Sequence, residues 1–181
     1  MSMRVLIIQT GGTIDKCYPK SICGYAFEFG ESYASRFVQK NSREQNLLVR
    51  CITPFLKDSL DMVDADRAIL VKVIEKAAEQ KICVTHGTDT IIETAKYLIK
   101  NLTCVDDKCI IITGSFRPGV FKETDADFNV AFVMGALAHA NTTGVFIAIQ
   151  GGLFHPNQVA RDPSTGNFVP TREGSHASCK Q

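Results

Sequence analysis

Ile82-Cys83-Val84-Thr85-His86-Gly87-Thr88-Asp89-Thr90 decides how this chain folds. A short apolar run ends in a glycine-loosened turn rich in hydroxyls, and helical periodicity begins at once. Past the turn, Ile91, Ile92, Ala95, Leu98 and Ile99 recur at helical spacing. Residues 90–100 are therefore expected to be a helix, with Thr90 and Glu93 spaced as a capping box. A strand feeding a helix through a tight polar turn is half of a βαβ unit. The same grammar opens the chain, where the apolar run at 5–8 leads into Thr10-Gly11-Gly12-Thr13-Ile14.

Outward from these two turns, strand-like runs recur at 47–52, 109–113 and 145–149. Between them lie helical patterns. At 64–80 Ile69, Leu70, Val73, Ile74, Ala77 and Ala78 share one face, with Asp64 expected as N-cap. A third helix is expected at 125–140. The strands are continuous apolar runs rather than alternations, which suits parallel strands covered on both faces. The expected fold is α/β: a doubly wound, flavodoxin-like, mostly parallel sheet in three α/β/α layers, forming a single domain over 1–181. Ligands in such sheets bind outside the carboxyl ends of the strands. Residues 10–13, 86–90 and 114–118 fall there, so the three turns are expected to converge. The pattern is poorer between 15 and 45, which reads as a lid-like loop followed by a helix near 31–39. Beyond 150 a hairpin around Thr165-Gly166 is expected.

Composition narrows the function classes. With 22% charged and 45% hydrophobic residues and a net charge of +1, the chain reads as an ordinary globular domain. No basic cluster marks a nucleic-acid surface. The longest apolar run, 130–138, is too short and glycine-interrupted to span a membrane. Seven cysteines form no CxxC pair, and the chain starts directly in a strand without a secretory pattern. Together these point to reduced thiols and a cytoplasmic location. The four histidines sit at no metal-ligand spacing, so no metal site is expected.

The turns themselves carry the chemistry. Gly11 and Gly12 let backbone approach a ligand and can aim amide N–H groups at an anion, while Thr13 becomes a nucleophile where a base is in reach. Thr88 and Asp89 lie at a helix N-terminus, where amides are unpaired and negative charge is favoured. Ser59 and Asp61, in Asp58-Ser59-Leu60-Asp61-Met62, are suited to gripping an amino acid's carboxylate and ammonium. Ser115, in Thr113-Gly114-Ser115-Phe116-Arg117-Pro118, sits where backbone donors can face the same site. Each has a blander reading: a strand-to-loop turn, a helix cap, a loop opening a helix, a strand-to-helix connection. His86 is equally readable as a general base or as a hydrogen-bonded histidine at a strand end. GxxxxGK[ST] is absent and the glycine loop lacks GxGxxG, which weakens a nucleotide-binding reading.

Taken in order, TGGTI, DSLDM, VTHGTDT, TGSFRP and a D-x-x-x-N run before a helix resemble the amino-terminal domain of the bacterial-type L-asparaginase and glutaminase family. That family includes the amidase subunit of archaeal tRNA-dependent amidotransferases. The resemblance covers nearly the whole chain and implies an amidohydrolase that releases ammonia from asparagine or glutamine side chains without metal or organic cofactor. Thr13 matches the nucleophile. Thr88 and Asp89 match the second threonine and its aspartate, and Ser59, Asp61 and Asp89 the residues that fix the substrate backbone. Gly12, Gly87 and Ser115 join the substrate-binding set. Tyr25 matches the lid tyrosine, with Tyr18 its rival.

Two departures follow from the resemblance. The family's lysine, in a V-x-K segment, is matched by Val159-Ala160-Arg161, and arginine with a pKa above ~12 cannot relay a proton. The family's smaller carboxy-terminal domain has no counterpart here, and its copies associate partly through that domain. The expectation is thus an asparaginase-type hydrolase with a small-molecule amino-acid substrate, without nucleic-acid or membrane partners, and with homo-oligomers as the family's habit. The alternative is a non-catalytic amino-acid-binding or regulatory module that kept the grip and lost the relay. A subunit supplying ammonia to a partner rests on family analogy alone.

Overall fold

Alternate residues of the apolar strands face opposite helix layers, and this builds the molecule. The computed structural model describes residues 2–19, 26–42 and 47–171. In chain order the elements are β1 (Met3–Gln9), β2 (Lys16–Cys17), β3 (Glu28–Phe29), α1 (Tyr33–Asn41), β4 (Leu47–Ile52), α2 (Asp64–Lys76), β5 (Lys81–Thr85), α3 (Ile91–Asn101), β6 (Cys109–Thr113), α4 (Ala126–His139), β7 (Gly144–Ile149), β8 (Gly152–Phe154), β9 (Val159–Arg161) and β10 (Phe168–Pro170). The main sheet runs β4-β1-β5-β6-β7-β8, parallel except for β8, which returns antiparallel along the edge of β7.

Leu6, Ile8, Ile82, Val84, Ile110 and Ile112 pack beneath α2 and α3, which contribute Leu70, Ile74, Ala95 and Leu98. Their strand neighbours Val5, Ile7, Cys83 and Ile111 face the other way, against Ala34 and Val38 of α1 and Val130, Val133 and Leu137 of α4. Both faces are covered, which is why the strands read as unbroken apolar runs. Ile7 lies opposite Cys51 on one side and Cys83 on the other, so the two thiols occupy one row two strands apart. No helix among the described residues is long and apolar enough to cross a membrane.

The parallel strands follow the doubly wound order 2-1-3-4-5, with the winding reversing between β1 and β5. Chains leaving these two strands diverge to opposite faces and open a crevice at their carboxyl ends, where the Thr13 and Thr88 turns emerge.

Three local expectations need correction. α2 starts at Asp64 with Val63 as its cap, because Asp66 reaches back 2.9 Å to the Val63 N–H while Asp64 pairs with Arg67. The same helix stops at Lys76 rather than 80. Thr90 caps α3 only by position: its hydroxyl donates to Ser59 O at 2.8 Å instead of closing a capping box. Helix α1 forms two residues later than expected, with Ser32 accepting from Ser35 N–H as its cap. The Thr165-Gly166 hairpin is present as β9 and β10, with Gly166 left-handed at φ 73°.

Candidate active site

Gly12 brings the two threonine turns together. It holds φ 80°, and a Cβ there would collide with the amide nitrogen and Cα of Gly87. One residue past this contact stand Thr13 on one side and Thr88 on the other. Thr10 strengthens the joint by donating both its N–H (3.2 Å) and its hydroxyl (2.7 Å) to Thr85 O. Gly87 is pressed in turn against Ser59, whose Oγ and Cβ would clash with any side chain there.

The Ser59 segment is laid along the first turn by backbone. Lys57 N–H donates to Thr10 O and Gly12 N–H to Lys57 O, each at 3.0 Å. Lys57 Nζ then clamps Asp66 at 2.8 Å, fixing the segment to α2. A single 3₁₀ turn, Ser59–Asp61, is opened by Asp58, which accepts from Leu60 N–H. Lys16, just past the Thr13 turn, pairs with Asp58 and holds its carboxyl below the usual range. Asp61 is exposed on this turn, whereas Ser59 is only 1% exposed. Ser59 Oγ is buried without a hydrogen-bond partner among the described residues, the condition of a polar group that a ligand or water completes.

The Gly12 amide is spent on Lys57 O, while the Gly11 and Thr13 amides meet no acceptor among the described residues. The amides of Thr88 and Asp89 likewise meet none and lie at the N-terminus of α3, where positive partial charge collects.

Arg161 reaches this corner from β9. Its Nη1 donates to Asp89 Oδ1 at 2.5 Å and its Nε to Gly166 O at 3.1 Å. The guanidinium lies 5.5 Å from the Phe116 ring centre and 6.0 Å from that of Phe168. Aromatic faces and a carboxylate together hold a planar cation in one orientation.

Elsewhere the polar groups serve the frame. Ser115 is fully buried and its hydroxyl donates to Arg117 O, while the N–H groups of Phe116 and Arg117 are taken by Asp125. Asn129 holds Gly114 O and accepts from Gln150 N–H. The Ser115 hydroxyl and the Phe116 and Arg117 amides of the 114–118 turn are thus used within the strand-to-helix connection. His86 is wholly buried, its Nδ1–H donating to Gly87 O at 2.7 Å and its Nε2 facing Met62 Sδ at 3.2 Å. Burial pushes its pKa down to about 4, so it is a neutral strut beneath the Gly87 turn. Tyr25 lies outside the described residues. Tyr18 packs its ring 4.1 Å from that of Phe27 and 6.3 Å from that of Phe121. No group of three or more His, Cys, Asp or Glu among the described residues gathers as a metal would need.

Sequence reasoning passed over Asp15. It is 3% exposed, accepting from Tyr33 N–H at 2.9 Å and from the Thr85 hydroxyl at 3.0 Å. Burial lifts its pKa to about 6. Nothing in the polar run Thr10–Lys16 marked this carboxylate as buried.

Residues 4–167 match the model of the amino-terminal domain of asparaginases. The chain belongs to the asparaginase family. Among its relatives, the glutaminase-asparaginase of Acinetobacter glutaminasificans is 26% identical over 174 residues, covering 92% of this chain and 51% of that protein. A probable periplasmic L-asparaginase of Haemophilus influenzae is 26% identical over 166 residues, covering 89% and 47%. The thermostable L-asparaginase from Thermococcus kodakarensis superposes with a TM-score of 0.80 at 22% identity, over 93% of this chain and 51% of that one. The chain spans about half the length of the asparaginase relatives it matches.

Proposed function

We propose that the chain is an asparaginase-type amidohydrolase acting on the side-chain amide of asparagine or glutamine. The observation that supports this reading is the close approach of the Gly12 and Gly87 backbones, which brings the Thr13 and Thr88 turns together, with a buried Ser59 hydroxyl that has no partner among the described residues pressed against Gly87. Thr13 attacks the amide carbon, and the Thr88 and Asp89 amides receive the negative charge that develops on oxygen. Ammonia leaves, and water assisted by Thr88 cleaves the acyl-threonine. Ser59 and Asp61 hold the substrate's carboxylate and ammonium, with Asp89 contributing to the latter.

Ammonia release from asparagine and glutamine by the purified chain tests the proposal, alongside Thr13→Ala and Thr88→Ala variants shown to be folded. Retained release by either variant removes that threonine from the mechanism. A second reading, a non-catalytic amino-acid-binding module, is favoured by one observation: Asp89 is paired with an arginine that stays charged at every working pH. Calorimetric binding of asparagine or aspartate without ammonia release supports the module. Activity appearing in Arg161→Lys then identifies the missing proton carrier.

A further inference from the structure

We propose that Asp15 is a positioning residue of the threonine site and that its negative charge, beyond its hydrogen bonds, keeps that site competent, an inference that rests on the hydrolase reading above. Asp15 ends the same 3₁₀ turn that Thr13 begins. Its side chain turns away from solvent and joins three elements. One carboxylate oxygen accepts from Tyr33 N–H at the start of α1, and the other from the hydroxyl of Thr85 at the end of β5. Its backbone completes the tie, N–H to Gly12 O at 3.2 Å and carbonyl from Gly30 N–H at 2.9 Å. Thr85 is itself the residue whose carbonyl anchors Thr10, so Asp15 links the two threonine turns from below.

The neighbours offer this carboxylate no compensating cation at ion-pair distance among the described residues. Gln9 from β1, Cys51 from β4 and Cys83 from β5 face it, the last two feeling its charge. A small cleft of about 160 Å³ beside it is lined by Cys17, Glu31, Tyr33 and Arg36. Across α1, the Tyr33 hydroxyl is tied to Asp127 of α4. An asparagine would keep one of these bonds through its Oδ1 and make the other in reverse, donating Nδ2–H to the Thr85 hydroxyl, without burying a charge. A site that keeps an uncompensated carboxylate at a cost in stability is using the charge.

What the charge does is fix the Thr85 hydroxyl. When ionised, Asp15 can only accept, so the Thr85 hydroxyl must donate to it. When protonated, Asp15 can donate instead, which releases the hydroxyl hydrogen of the residue whose carbonyl anchors Thr10.

The test is ammonia release by the full chain between pH 4.5 and 8 for wild type, Asp15→Asn and Thr85→Val, each checked for folding. Wild-type kcat is expected to rise along one limb centred near 6 with KM little changed. Asp15→Asn, locked in the neutral form with both partners kept and the Thr85 bond reversed, is expected to lose that limb and fall roughly ten- to a hundredfold in kcat at pH 7.5. Thr85→Val, which keeps the charge but removes its hydroxyl partner, is expected to move the limb to higher pH. A wild-type rate and unaltered limb in Asp15→Asn overturn the inference, as does an unmoved limb in Thr85→Val should the first variant not fold. A wild-type chain that releases no ammonia sinks the hydrolase reading and this inference with it. Turnover by wild type alongside an indifferent Asp15→Asn sinks this inference alone.

Discussion

Asp15 and Asp89 stand beside the two threonines and are held by opposite means. Asp89 is 45% exposed, faces a guanidinium, and sits at the N-terminus of α3. Asp15 is buried under the sheet's end with a hydroxyl and one amide as partners. The first carboxylate meets an opposite charge and water. The second is penalised by desolvation, which raises its pKa to about 6, so its turn carries a pH response.

The largest expected effect breaks the pair outright. Thr13→Ala and Thr88→Ala should each reduce ammonia release by roughly a thousandfold or more, the scale of losing a group that acts in a concerted set. A loss confined to one variant would show that only one of the two carboxylates neighbours the reaction.

Next comes stability. The raised pKa of Asp15 means that the folded state holds its proton more tightly than the unfolded chain. Its contribution falls as pH rises from about 3.8 to about 6 and remains a penalty above that. Removing the charge should stabilise the fold at pH 7.5 by up to about 3 kcal/mol, from two units of pKa at 1.36 kcal/mol each. Urea midpoints of wild type and Asp15→Asn measure it, and a destabilised variant contradicts the burial argument. His86 opposes this slope. Its pKa, lowered to about 4 by burial, means that stability falls as pH drops from about 6.5 to about 4. The two groups offset one another in wild type, so Asp15→Asn should expose a His86 decline of roughly 3 kcal/mol over that window.

The smallest effect sharpens the contrast. Asp89→Asn removes a partly exposed pair and should change stability by about 1 kcal/mol or less, read from urea midpoints at pH 7.5. A change as large as that at position 15 would mean the two carboxylates are held alike after all.

Much of the frame was legible because burial on both faces leaves a plain mark. The runs at 47–52 and 109–113 coincide with β4 and β6, and those at 5–8, 82–85 and 145–149 differ from β1, β5 and β7 by one or two residues. Capping was less legible, since Asp64, Asp66 and Thr90 all have suitable side chains, and which of them caps depends on competing partners. Thr90 prefers Ser59 O, far away in sequence. β8 escaped notice because Gly152–Phe154 is too short for periodicity and is stabilised by pairing along β7. The site's hydroxyls were visible as a motif. The burial of Asp15 was not, because a carboxylate after a glycine turn looks the same in sequence whether solvated or enclosed.

The row in which Ile7 separates Cys51 from Cys83 has a consequence for redox chemistry. Two strand spacings put these α-carbons roughly 9–10 Å apart, beyond the ~7 Å a disulfide tolerates. An oxidant cannot staple them without tearing β1 from the sheet, so this pair stays reduced inside the fold whichever side of a membrane the protein occupies.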